Sequence, residues 1–92
     1  MIRRLVLDIM KPHDPDVVVT TQRLSEIEGI EGVTMKLVEM DEQVVETRVA
    51  IEGQDLDLER IQDVVENLGG SIHSVDEVSC GQKIIEDPWI DN

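Results

Sequence analysis

Apolar and polar positions alternate in four segments of the chain, and a period of two predicts half-buried β-strands. The segments are residues 2–10, 33–37, 45–51 and 72–78. The turn sequence MDEQ separates the second segment from the third, so these two predict a β-hairpin. The four strands therefore divide into a central pair joined by a short turn and one strand towards each end of the chain.

Two stretches between the strands have apolar residues at helical spacing. In the first, Asp14 is expected to cap a helix whose apolar positions are Val18, Leu24 and Ile27, and Gly29 is expected to end it. In the second, either of two acidic residues is expected to cap a helix that a Gly-Gly pair ends. Its capping candidates and apolar stripe are Asp55 or Asp57, then Leu58, Ile61, Val65 and Leu68.

The resulting element order is βαββαβ, which predicts a ferredoxin-like α+β fold. This is a two-layer sandwich with an antiparallel sheet of strand order 4-1-3-2 and both helices on one face. Residues 1–79 form this single domain, and residues 80–92 are expected to form a C-terminal arm or an extra edge strand. The arm carries Trp89, the one aromatic residue of the chain, and is expected to reach a neighbouring subunit.

The fourth strand, in the sequence SIHSVDEV, is expected to pair with the first so that Ile72 lies opposite Ile9. The pairs then expected on the helix-free face are Asp8 with His73, Val6 with Val75, and Arg4 with Glu77. The same register points Asp76 towards the core, and a β-bulge at residues 74–75 or an early end of the strand would relieve that cost.

The two histidines are candidate functional residues. His13 and His73, with Asp8 or Asp14, have the donor types that hold a transition metal. The alternative, which we favour, is a surface histidine bonded to a carboxylate. An enzyme that used His73 with Asp8 or Asp76 as acid–base partners is the least favoured function.

The charge of the chain limits its partners, because 21 acidic residues against 8 basic ones give a net charge of −13. This charge repels nucleic acids and anionic membranes. A spread of acidic residues with few lysines is typical of proteins in concentrated salt, and predicts a halophilic archaeal cytoplasm. The chain has no apolar run of the roughly 20 residues that span a bilayer, and its N-terminus is too short and too strand-like for a signal peptide.

Several reaction types are not supported by the motifs. The single cysteine, Cys80, excludes an internal disulfide and the CxxC of a copper carrier. The loop KPHDP lacks the arginine that an acylphosphatase-like activity requires, and no glycine-rich phosphate loop is present.

The sequence QDLDLE places Asp55, Asp57 and Glu59 two residues apart before the second helix. Such oxygen ligands suit calcium, but Arg60 stands where an EF-hand has glycine. Helix capping explains these acids without an ion, and we favour that interpretation. The alternative hypothesis is a cation site that forms where this cluster meets acidic residues of another subunit. Its candidate ligands are Asp55, Asp57, Asp76 and Glu77.

The segments LDIMKPHDP, GQDLDLERI and LGGSIHSVDEV, in this order and spacing, resemble the archaeal family called domain of unknown function 211. The resemblance covers nearly the whole chain, although the part from Cys80 onward fits weakly. It implies a ferredoxin-like fold, assembly into closed rings of six or seven subunits, and an association with calcium whose ligands it does not place. It implies no established activity.

The function that we expect is therefore a non-enzymatic, ring-forming binding or regulatory module, with divalent cations such as calcium at its acidic subunit boundaries. The alternative is a small-molecule sensor, which would bind its ligand between paired domains at helix N-termini and at loops such as GIEGV.

Overall fold

The structure is a computed structural model that describes residues 1–86. Its elements follow the order βαββαβ that the sequence predicts. They are β1 (Ile2–Lys11), α1 (Val17–Ser25), β2 (Ile30–Met40), β3 (Val45–Gly53), α2 (Leu58–Asn67) and β4 (Ser71–Cys80).

The four strands form one sheet of order β2-β3-β1-β4, with every neighbouring pair antiparallel. This confirms the predicted order, and the fold is the ferredoxin-like α+β sandwich. The core lies between the sheet and the helices because alternate residues of β1 and β3 point to the helix side. The core residues are Leu5, Leu7, Ile9, Leu24, Ile27, Val49, Ile51, Leu56, Ile61 and Val65.

Helix α1 begins two residues later than predicted. Asp16 is its N-cap, since its Oδ1 accepts a hydrogen bond from the Val19 amide at 2.9 Å. The expectation that Asp14 caps this helix is wrong, because the carboxylate that reaches the free amides is the one immediately before Val17. The buried positions of α1 are Thr20 and Leu24, whereas Val18 is 61% exposed. The predicted stripe through Val18 is therefore also wrong.

Helix α2 follows a tightly held loop. Gly53 has no room for a side chain, since a Cβ there would lie 2.0 Å from the Gly29 carbonyl oxygen. The Gln54 amide donates to that same oxygen, and the Leu56 amide donates to the carbonyl of Ile2 at 2.9 Å. Asp57 then caps the helix by accepting from the Arg60 amide at 3.2 Å. The loop thus lies beside the beginning of β2.

Strand β4 differs from the predicted register after its first pair. Ile72 lies opposite Ile9, as expected, but Asp8 pairs with Ser74 because His73 is an extra residue in β4. Asp76 is a second extra residue, so Val6 pairs with Glu77. The expected opposite positions of Asp8 and His73, Val6 and Val75, and Arg4 and Glu77 are wrong for this reason, although the side chains of Arg4 and Glu77 do form the expected ion pair. The two bulges replace the single bulge expected at residues 74–75, and they keep Asp76 out of the core.

The chain leaves the sheet at the end of β4. Gly81 donates to the Met1 carbonyl at 3.0 Å, and Arg3 Nη1 donates to the Gln82 carbonyl at 2.7 Å. Residues 81–86 contain no strand. The rest of the predicted arm, including Trp89, lies outside the described residues. No helix in residues 1–86 combines the length and the apolar character of a membrane-spanning segment.

Candidate functional site

The side of the sheet opposite the helices, here called the open face, carries three of the predicted candidate residues, Asp8, Asp76 and Glu77. Arg4, Val6, Asp8 and Met10 of β1 point to this side because they alternate with the core residues of the same strand. Their partners in β3 and β4 lie on the same side. The open face therefore gathers side chains from three strands.

Arg4 joins three strands on the open face. Its Nε lies 2.7 Å from Glu77 Oε2 in β4, and its Nη1 pairs with Glu52 Oε2 in β3. The hydrogen bond to Glu77 raises the pKa of Arg4, and that to Glu52 adds to this effect while partial burial opposes it. Glu77 is thus an ion-pair partner within its own chain.

Asp76 has two partners of its own. Ser74 Oγ donates to Asp76 Oδ1 at 2.7 Å, and Arg48 Nη2 lies 3.3 Å from Asp76 Oδ2. The hydrogen bond from Ser74 is the main cause that lowers the pKa of Asp76, with the guanidinium of Arg48 contributing in the same direction. The bulge at Asp76 makes this contact possible because it turns the carboxylate towards the open face.

Asp8 lies between these two clusters. Its Oδ1 is buried and has no hydrogen-bond partner within residues 1–86. A cavity of about 150 Å³ opens beside it, lined also by Glu46, Arg48 and Asp76. A buried carboxylate oxygen without a donor is unfavourable. The buried oxygen of Asp8 therefore suits a hydrogen-bond donor supplied from outside the chain.

The two histidines contact different parts of the fold. His13 Nε2 lies 2.7 Å from the carbonyl oxygen of Asp41 in the β2–β3 turn. His73 is exposed on β4, where it lies near enough to Asp76 to lower its pKa slightly. Residues 1–86 contain no group of three histidine, cysteine or acidic side chains that could hold a metal ion. The histidine metal site stays a hypothesis without geometric support from a single chain.

The four acidic residues suggested as cation ligands also lie apart. Asp57 caps α2, on the helix side of the sheet, whereas Asp76 and Glu77 lie on the open face of β4. Asp55 is exposed, and its backbone lies against Gly29 at the beginning of β2. A site that uses Asp55 together with Asp76 and Glu77 would therefore need two copies of the chain.

Both edges of the sheet carry apolar side chains that are about half exposed. They are Leu37, Val38 and Met40 on β2, and Val75 and Val78 on β4. The expectation that Val75 lies with Val6 on the helix-free face is wrong. Met40 and Val75 instead lie on the helix side, because they pair with the buried Val45 and Leu7.

An apolar groove, here called the α1/β2 groove, was not predicted. It has a volume of about 470 Å³, and none of its lining residues within 1–86 is charged. Its lining residues are Val17, Val18, Thr21, Gln22, Ser25, Val33 and Met35. The run Val17–Val19 was its signal in the sequence, since three successive valines cannot all face the core of one helix. Lys11 was missed as well: the alternation of β1 continues one position further and buries it.

Comparison with known proteins gives the family. The family model described as DUF211, uncharacterized ArCR, matches residues 3–91 of the chain. An uncharacterized protein of Methanocaldococcus jannaschii is 46% identical over 86 residues, which cover 94% of this chain and 89% of that protein. The chain belongs to the DUF211 family.

Membership in the DUF211 family confirms the resemblance seen in the sequence. Both descriptions use the word uncharacterized, so neither supplies an activity, a ligand or an assembly for this chain. The function must therefore be argued from the open face, the sheet edges and the groove.

Proposed function

We propose that this protein is a non-enzymatic, ring-forming binding or regulatory module whose subunit boundaries bind divalent cations such as calcium. The observation that supports the proposal is that both edge strands of the sheet have an unpaired outer side. Within residues 1–86, no element pairs with the outer side of β2 or of β4. Long edge strands with free backbone groups and exposed apolar side chains pair readily with another chain.

Strand direction supports head-to-tail assembly. Directions alternate across the sheet, so β2 and β4 run opposite to each other. When β4 of one subunit pairs with β2 of the next, the antiparallel pattern continues without interruption. One contact of this kind covers both edges of every subunit, whereas a twofold contact through either edge leaves the other bare. Repeated head-to-tail contacts close into a ring when the rotation between subunits allows it.

The acidic residues support a cation at this boundary. In antiparallel pairing, the end of β4 lies beside the beginning of β2 of the neighbour. This brings Glu77 and Asp76 of one subunit towards Asp55 of the next, since Asp55 lies against Gly29. Each subunit carries a net charge of −13, so close approach needs cations to offset the repulsion. Calcium suits such carboxylate oxygens.

The test is multi-angle light scattering on a sizing column at high ionic strength, with either a chelator or millimolar calcium. We expect a ring mass with calcium and a smaller species after chelation. Asp55→Asn should weaken the calcium response, whereas Asp63→Asn, an exposed acid on α2, should leave it unchanged. A ring that ignores chelation would overturn the cation part, and a monomer under all conditions would overturn the assembly.

The edge contact can be tested separately. Val78→Lys places a charge on the β4 edge at a residue that is 51% exposed, so the fold should tolerate it while the ring dissociates. Val19→Lys, on the exposed surface of α1, is the matched control and should assemble normally. Assembly of both variants to the same mass would show that β4 is not the contact.

A small-molecule sensor is the second candidate, and one cavity favours it. This cavity has about 350 Å³ and includes Arg4, Glu31, Gly32 and Val33, so it contains part of GIEGV, which forms the beginning of β2 and not the predicted loop. A sensor would be stabilised by a metabolite and would be indifferent to chelators. The enzyme hypothesis that pairs His73 with Asp8 gains no such support, because Asp8 lies opposite Ser74.

A further inference from the structure

We propose that the α1/β2 groove is the docking site for the C-terminal segment, residues 87–92, of a neighbouring copy of this chain. The proposal rests on the head-to-tail assembly proposed above. It adds to that assembly a specific occupant for the groove, the sequence Asp-Pro-Trp-Ile-Asp-Asn. Trp89 is the anchor of this segment.

The groove has the character that such an anchor requires. Val17, Val18, Val33 and Met35 supply its apolar lining, and the remaining lining residues are uncharged. This is unusual on a chain in which about a third of the residues are charged. The side chain of Val18 is 61% exposed at its rim. A tryptophan buries about 150–250 Å² of surface when it docks, more than any other residue of this chain can offer.

The described part of the chain ends at the surface, which leaves the C-terminal segment free to reach a groove. After Cys80 the chain leaves β4, and Ile85 is 75% exposed, so residues 81–86 do not end in the core. The six residues that follow include Pro88, Trp89 and Ile90 in succession, the one apolar cluster with an aromatic ring in the sequence. Trp89 lies nine positions after Cys80 in the sequence, and an extended chain of that length spans at most about 30 Å.

The topology favours docking on a neighbour. The segment follows β4, one outer strand of the sheet, and the groove lies beside β2, the outer strand at the opposite edge. Head-to-tail pairing brings β4 to within about 4.8 Å of the neighbour's β2. The contact that joins two sheets thus also brings the neighbour's groove beside the strand that the segment follows.

Trp89 makes the test direct, because the chain has no other tryptophan and no tyrosine or phenylalanine. Tryptophan emission therefore reports this segment alone. In the assembled protein we expect emission at short wavelength and weak quenching by acrylamide, as for a buried indole. Val18→Glu should shift the emission to longer wavelength. Val19→Glu, one position along the same helix and outside the groove, should keep the emission of the unmodified protein.

A mixing experiment distinguishes a neighbour's groove from the chain's own. Val18→Glu protein, which keeps Trp89 but has a blocked groove, is unfolded and refolded together with Trp89→Ala protein, which has an open groove and no tryptophan. Docking in trans predicts that emission returns to shorter wavelength in the mixture. Emission that stays at long wavelength, as in Val18→Glu alone, would overturn the proposal because the segment then docks on its own chain or nowhere.

Light scattering on the same samples separates this proposal from the one on which it rests. A ring of unmodified protein with solvent-exposed Trp89 emission would overturn the docking proposal and leave the assembly intact. A monomeric unmodified protein would overturn both. A ring whose emission responds to Val18→Glu but not to Val19→Glu, and which recovers in the mixture, supports both.

Discussion

Arg4 Nε lies 2.7 Å from Glu77 Oε2, so one ion pair ties the first strand of the sheet to the last. Glu77→Gln removes this charge while Arg4 keeps Glu52. Both side chains are partly exposed, so we expect the free energy of unfolding to fall by only about 0.2–1 kcal/mol, less in high salt. Urea unfolding of the variant and of the unmodified protein measures this change in the free energy of unfolding. Glu42→Gln, in the exposed β2–β3 turn, is the control, and an equal loss there would contradict the role of the pair.

Two aspartates before α2 have different roles in the structure. Asp57 accepts the hydrogen bond from the Arg60 amide, whereas Asp55 is exposed and has no capping role. Asp57→Ala should therefore lower the free energy of unfolding by about 0.5–2 kcal/mol. Asp55→Ala should change it little in calcium-free solution. Thermal unfolding of the two variants measures this, and equal losses would contradict the assignment of the cap.

The carboxyl group of Asp76 offers a pH-dependent prediction. Ser74 and Arg48 lower its pKa below the ordinary value of 3.8. The stability that this contributes is fully present above pH 3.8 and is lost as the pH falls through the folded-state pKa. Ser74→Ala removes the main donor, so we expect the pKa of Asp76 to rise towards 3.8. Carbon-detected NMR titration of the carboxyl group measures both values, and an unchanged pKa would show that Ser74 does not donate to it.

Salt should stabilise the folded chain because it screens a net charge of −13. We expect the urea midpoint of unfolding to increase with sodium chloride at neutral pH. The increase should be smaller near pH 4, where many carboxyl groups are protonated and the repulsion is weaker. An equal increase at both pH values would mean that salt acts through apolar burial instead of charge screening.

The strand order and the core could be predicted because alternation and helical spacing report directly on burial. Details that depend on a shift of one or two residues along the chain could not be predicted. The sequence indicates Asp14 as the cap because Pro15 follows it, and only the chain path shows that Asp16 reaches the Val19 amide. The predicted register of β4 was wrong for a similar reason, since nothing in the sequence indicates that His73 and Asp76 are the unpaired residues of two bulges.

The candidate site depended on those same details. The acidic residues and histidines could be identified as candidates from the sequence. Their contacts could not, because the two bulges of β4 determine which side chains lie close together. Asp8 lies opposite Ser74 and not opposite His73. The buried Oδ1 of Asp8, which has no hydrogen-bond partner within residues 1–86, can be recognised only from the structure. The α1/β2 groove likewise needs the position of β2 against α1, which periodicity alone does not give.

The two bulges of β4 also determine where this strand tolerates a change of length. His73 and Asp76 are each looped out between paired residues, so the strand could lose either one and still keep Ile72, Val75 and Val78 on the helix side. Loss of Val75 would have no such compensation, because a polar neighbour would then lie opposite Leu7 on the helix side. Deletion of His73 or of Asp76 should therefore be accepted and deletion of Val75 rejected, which makes β4 a strand of adjustable length with a fixed inner face.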